Sequence, residues 1–141
     1  MRPSVVLDTN VLVAGLRSRR GASYQVLRQV GRGRFDIELS VPLVLEYEEA
    51  TKRIARQIGL THGDIDSVLD YLCRVGRHRA IHFLWRPVLR DPEDDMILEL
   101  AVESEADCIV TFNVRDFEGA DKFGLDVIRP HELLDLIGER K

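Results

Sequence analysis

The sequence has little cysteine, proline or aromatic content: 2 Cys, 5 Pro, 1 Trp, 3 Tyr and 5 Phe among 141 residues. Cys73 and Cys108 form no CxxC pair and sit among apolar neighbours, so they read as small core hydrophobes in a reducing compartment rather than redox or zinc ligands. Long hydrophobic runs are also missing. Val11-Leu12-Val13 and Leu43-Val44-Leu45 fall far short of the ~20 apolar residues that cross a bilayer, so no membrane span is expected. Arg2-Pro3-Ser4 leads straight into Val5-Val6-Leu7 without the features of a signal peptide, and a cytoplasmic location is the expectation. The one glycine pair near a strand, Gly31-Arg32-Gly33, lacks the third glycine of a dinucleotide fingerprint and precedes a strand, not a helix. There is no repeat, low-complexity stretch or linker. With 45% hydrophobic and 31% charged residues, the chain reads as a single domain over 1–141.

The net charge of −4 hides an asymmetry. Residues 1–90 carry 15 Lys/Arg against 9 Asp/Glu, and residues 91–141 carry 5 against 15, so the two parts stand at +6 and −10. Of the 20 basic residues, 17 are arginine, whose planar fork suits phosphate.

Apolar patterning alternates between strand and helix. Ser4 to Leu7 predicts a strand ending at Asp8-Thr9-Asn10, which suits a turn or a helix start. Residues 22–31 predict a helix, Phe35 to Val41 a strand, and Pro42 opens a helix to about Gly59. Thr61-His62-Gly63-Asp64 resembles a capping box with Asp in place of Glu, starting a helix that ends near Gly76. Residues 77–90 predict a short strand or an irregular connection. Asp91-Pro92-Glu93 introduces a helix to about Ala106; Cys108 to Thr111 and Leu125 to Ile128 predict strands, and Pro130 starts a terminal helix. Such alternation implies a parallel sheet covered on both faces.

Ligands bind such sheets outside the carboxyl ends of the strands, where Asp8 follows one strand and Asn113 and Asp116 follow another. Glu48 and Glu49 have Lys52 and Arg53 four residues later and are explained as exposed ion pairs. Glu46 instead shares a column with Leu43, Ala50 and Ile54, and projects from the apolar face. Asp91 suits an N-cap, while Asp94 shares its face with Ile97, Leu98 and Ala101 and is the inward carboxylate. Asp8, Glu46, Asp94 and Asp116 are therefore expected at one end of the sheet. Clustered carboxylates repel unless a cation sits between them, and oxygen-only ligands favour Mg²⁺ or Mn²⁺. Such an ion activates water against a phosphodiester.

Several segments together resemble the PIN-domain ribonucleases, in particular the VapC-like toxins of bacterial and archaeal toxin–antitoxin pairs. They are Val6 to Val11, Glu46-Tyr47-Glu48-Glu49, Asp91 to Asp95 leading to Leu100-Ala101, Ala106 to Thr111, and Asn113-Val114-Arg115-Asp116-Phe117. The resemblance implies a PIN-like three-layer α/β/α sandwich with a central, mainly parallel sheet and an acidic Mg²⁺- or Mn²⁺-binding pocket that cleaves RNA. By position, Asp8, Glu46, Asp94 and Asp116 match the family's four acids, with Asp8 and Asp94 the firmest metal ligands. Many relatives carry Asp where this chain has Asn113. Asn10 and Thr111 look like polar supports, and Arg17, Arg19 and Arg20, in the loop after the first strand, are candidate phosphate contacts, as are Arg77, His78 and Arg79. A cognate antitoxin and a homodimer are further expectations from the resemblance.

Two other readings fit the sequence less well. An Asp-based phosphatase of the haloacid-dehalogenase kind would want a second Asp at position 10, which is Asn, and a receiver domain would want paired acids where Asp8 is followed by Thr9. A non-catalytic PIN-like binding module would not need all four acids.

Overall fold

Val5, Val6 and Leu7 are buried in succession in the first strand, β1 (Ser4–Leu7), although side chains of a strand alternate between its faces. Both faces of β1 are therefore covered. The fourth strand, β4 (Cys108–Val110), is likewise buried at every position. The computed structural model describes residues 2–81 and 92–138.

Between these strands the chain forms α1 (Thr9–Arg17), α2 (Ala22–Gln29), β2 (Asp36–Leu39), α3 (Val41–Ile54), α4 (His62–Val75), β3 (Arg77–His78) and α5 (Pro92–Glu103); after β4 come β5 (Asp126–Ile128) and α6 (Pro130–Leu136). The strand order is β3-β2-β1-β4-β5, and every pairing is parallel. This is the expected three-layer α/β/α sandwich. β1 lies at its centre, where the connections to one side give way to those on the other. The carboxyl ends of β1 and β4 flank that switch point, the usual ligand-binding crevice of an open α/β sheet.

Local chemistry explains the element boundaries. The Ser40 hydroxyl accepts the Leu43 N–H at 3.3 Å, and Pro42 occupies the first turn of α3, where its missing N–H is not needed. α3 tightens into a 3₁₀ turn over Ala55–Ile58 and stops at Gly59, whose φ of 77° favours glycine. The Thr61–Asp64 capping box is present with both hydrogen bonds, at 3.0 and 2.8 Å. Glu48 pairs with Lys52 and Glu49 with Arg53, as the spacing predicts, and Lys52 also reaches Asp66 on α4. α1 and α2 pack so closely that a Cβ on Gly15 would collide with the Leu27 side chain and stand 3.1 Å from the Ser23 carbonyl.

The polar run after β1 is a helix start, one of the two alternatives expected for it: α1 begins at once and runs for nine residues. One expectation changes. The buried stripe of α3 is Leu43, Tyr47 and Thr51, so Glu46, Ala50 and Ile54 form its half-buried flank instead of its centre. A helix touching neighbours on two sides buries a column that apolar spacing alone does not single out. In β2 the acidic Glu38 is 0% exposed. Its carboxylate accepts from the Ser4 hydroxyl at 2.5 Å and from Arg79 Nε at 2.9 Å, and Arg77 lies 3.5 Å away. The expected N-cap Asp91 and most of segment 77–90 lie outside the described residues. Among the described residues no helix is long and apolar enough to cross a membrane.

Candidate active site

Asp8 follows β1 directly, with its backbone N–H on the Val110 carbonyl at 2.9 Å, and the residue is only 7% exposed. A carboxylate so placed needs hydrogen bonds. One comes from Thr111, the fully buried residue that follows β4: its hydroxyl donates to Asp8 Oδ2 at 2.7 Å. Having spent its proton there, the same oxygen accepts from Asn10 Nδ2 at 3.3 Å and from the Asn113 backbone N–H at 3.0 Å. A hydroxyl has one donor and two acceptor positions, and all three are used. Asn10 Oδ1 in turn accepts the Phe112 N–H at 3.4 Å. Residues 8–10 and 111–113, more than a hundred positions apart, are thus knitted into one unit.

Tyr47, which sequence reading passed over, supports this unit from α3. Its hydroxyl donates to the Leu7 carbonyl at 2.5 Å, directly beneath Asp8. Burial, and then the negative charge of Asp8, push the phenol well above its ordinary value, so it stays a neutral donor. Its i+4 relation to Leu43 was the available signal.

The elements that carry the other acids begin or end at that edge. Glu46 precedes Tyr47 and is half-buried. α5 descends into β4, so its first turn, carrying Asp94, stands at the carboxyl edge; Ile97, Leu98 and Ala101 are buried beneath it, while Asp94 and Asp95 are both half-buried. Asp116 is exposed in the 3₁₀ turn Val114–Phe117, where its N–H bonds the Asn113 carbonyl at 3.0 Å. Among the described residues no three His, Cys, Asp or Glu side chains are grouped closely enough to form a metal cluster. Asp8, Asn10, Thr111 and Asn113 are joined by hydrogen bonds, and Glu46, Asp94 and Asp116 stand on elements that begin or end at the same edge of the sheet.

The candidate phosphate contacts are placed elsewhere than expected. Arg17 ends α1, a helix of nine residues and roughly 13 Å of rise beyond Asp8, and Arg19 and Arg20 lie past it, all three exposed. Arg77 and Arg79 are engaged with Asp36 and Glu38, and His78 Nε2 lies 2.6 Å from the Cys73 carbonyl. Arg77 on β3 and Arg79 just after it neutralise the buried Glu38.

Comparison with known proteins follows the same lines. Residues 4–115 match the family model described as PIN domain. The fold is similar to that in the crystal structure of VapBC2 from Rickettsia felis bound to a DNA fragment from their promoter, with 15% identity, a TM-score of 0.61, and coverage of 89% of this chain and 98% of that one. It is also similar to a PilT N-terminus domain protein from the hyperthermophilic archaeon Sulfolobus solfataricus, with 19% identity, a TM-score of 0.58, and coverage of 98% and 96%. No match was found among curated proteins.

Proposed function

The chain belongs to the PIN-domain family, and from that premise we propose that it is a metal-dependent endoribonuclease, the toxin of a toxin–antitoxin pair. The observation that carries the reading is the Asp8 carboxylate, buried at the switch point of the sheet and oriented by Thr111.

The residues present suit a hard divalent cation. The acids at this edge and their Asn and Thr neighbours offer only oxygen and amide groups, the donor chemistry of Mg²⁺ or Mn²⁺. The Thr9 hydroxyl beside Asp8 is buried without a hydrogen-bond partner among the described residues. Asp8 and Asp94 would hold the ion, with Glu46 and Asp116 completing the acidic set. Bound there, the ion supplies an activated water and neutralises charge on the phosphodiester. Thr111 aims Asp8, since its hydroxyl donates to the carboxylate. Asn10 and Asn113 hold Thr111 in that orientation. No side chain forms a covalent bond to the substrate.

The likeness to a VapBC2 assembly supports a small antitoxin as partner, and we extend the reading to a homodimer acting in the cytoplasm. The test is cleavage of labelled RNA by the purified chain with Mg²⁺ or Mn²⁺ and with chelator. Asp8→Asn and Asp94→Asn should each lose more than the roughly 10–100-fold that removal of an outer hydrogen-bonding partner costs. The cation should also raise the melting midpoint, by about 2.7 kcal/mol of stability at a hundred times Kd. Equal cleavage by all three proteins would point to a contaminant and leave a non-catalytic binding module as the better reading.

A further inference from the structure

Phe112 is an apolar residue in a polar place. It lies between Thr111, whose hydroxyl holds Asp8, and Asn113, whose N–H holds Thr111, yet the residue is 42% exposed. Single exposed apolar residues are common and need no explanation by themselves. This one differs in how firmly its backbone is fixed. Its N–H donates to Asn10 at the start of α1, and the next residue, Asn113, donates its N–H to the Thr111 hydroxyl on the other side. Adjacent Cα atoms lie about 3.8 Å apart, so the Phe112 backbone stands one residue from the Thr111 that bonds the Asp8 carboxylate. The core does not account for it either: Phe117, five residues on, is the buried aromatic of this segment.

We propose that Phe112 is a stacking platform for a nucleobase of the RNA strand whose phosphodiester lies at Asp8. The inference rests on the ribonuclease reading and adds to it a substrate contact that makes no use of the acids. Every base has a π-face, so a platform of this kind grips single-stranded RNA with little regard to sequence. It also fixes the register of the strand, because the base held by Phe112 determines which phosphate meets the carboxylates. A ring on a pre-fixed backbone loses little conformational freedom on binding. A duplex, whose bases are already stacked, gains nothing from it.

The test uses a fluorescein-labelled single-stranded RNA, with binding read by anisotropy in the Asp8→Asn background so that the probe survives. Phe112→Ala should weaken binding by roughly 5–100-fold, Phe112→Trp should retain it, and Phe112→Leu should behave as the alanine variant, since an aliphatic side chain has no π-face. Thermal melting should be the same for all of them. A 2-aminopurine carried through successive positions of the RNA should be quenched at one position, and the quenching should vanish in Phe112→Ala. Unchanged affinity and unchanged quenching in Phe112→Ala overturn the proposal, as does the absence of any RNA binding. Cleavage by the unsubstituted chain is measured alongside. Metal-dependent cleavage with an unaltered Phe112→Ala affinity rejects the platform and keeps the nuclease; no cleavage, with weakened binding in Phe112→Ala, rejects the nuclease and keeps the platform.

Discussion

Thr111 shows how much can depend on one oxygen. Its hydroxyl makes three hydrogen bonds, to Asp8, Asn10 and the Asn113 backbone, in a fully buried position. Thr111→Val preserves shape and removes all three. Leaving a carboxylate oxygen and an N–H without this partner should lower stability by about 1–3 kcal/mol, read from urea unfolding. In the proposed nuclease, cleavage should fall roughly 10–100-fold, chiefly in kcat. Thr111→Ser keeps the hydroxyl and should recover most of both losses; full activity in the valine variant would remove Thr111 from the mechanism. At this scale the sequence was informative in part. A threonine ending an apolar strand opposite an aspartate is visible as a candidate. Tyr47 was not, because its role is set by the Leu7 carbonyl, a backbone group that no residue type advertises.

Among elements, β3 has the least to hold it. It is two residues long, at the sheet's edge, with both side chains exposed. Its anchorage is the ladder to β2, including the Arg79 N–H on the Leu39 carbonyl at 2.8 Å, together with the ion pairs that Arg77 and Arg79 make to Glu38. Because Glu38 has no access to water, removing a partner leaves charge poorly compensated, which costs about 3–5 kcal/mol for an isolated buried pair. Ser4 and Arg77 remain, so Arg79→Ala should cost less, on the order of 2–3 kcal/mol. Arg79→Ala combined with Glu38→Met should recover stability if the charge is what matters, and a double variant no better than Arg79→Ala would argue that packing of the arginine stem dominates. This scale also shows where sequence reading succeeds. β1 was found at its observed bounds because apolar residues stop abruptly at Asp8, and α4 was found because its capping box is a local hydrogen-bond pattern. The 3₁₀ turn Ala120–Phe123 and the Glu38 network were not, since short turns carry weak periodicity and the network joins residues up to 41 positions apart.

At the scale of the molecule, alkaline pH acts on two groups buried in the core. Cys108 is buried at the start of β4, where desolvation, followed by the charges of Asp126 and Asp107, raises its thiol to about 11 from an ordinary 9.0. Tyr47 is raised as well. Both groups are neutral in the folded state and ionise more easily once unfolded. The stability they confer is intact below pH 9 and is lost as pH rises through the folded value of Cys108, with Tyr47 adding to the loss above pH 10. Unfolding midpoints in urea should therefore be level from neutrality to about pH 8.5 and fall beyond it by an amount worth one to a few kcal/mol. Cys108→Ala should flatten the portion between 9 and 11, and an unchanged slope would mean that the alkaline loss comes from other groups.

One further consequence lies in time. Asp8 and the Thr111 that orients it are separated by 103 residues, and chains are synthesised at roughly 5–20 residues per second. A ribosome that has made Asp8 therefore needs a further 5–20 seconds or so to deliver Thr111. Throughout that interval the nascent chain carries its first acid without the hydroxyl that orients it, and β1 lacks the neighbour that encloses it on the β4 side. The order of synthesis thus acts as a delay built into the topology: the acid is made early, and the unit that aims it is completed late.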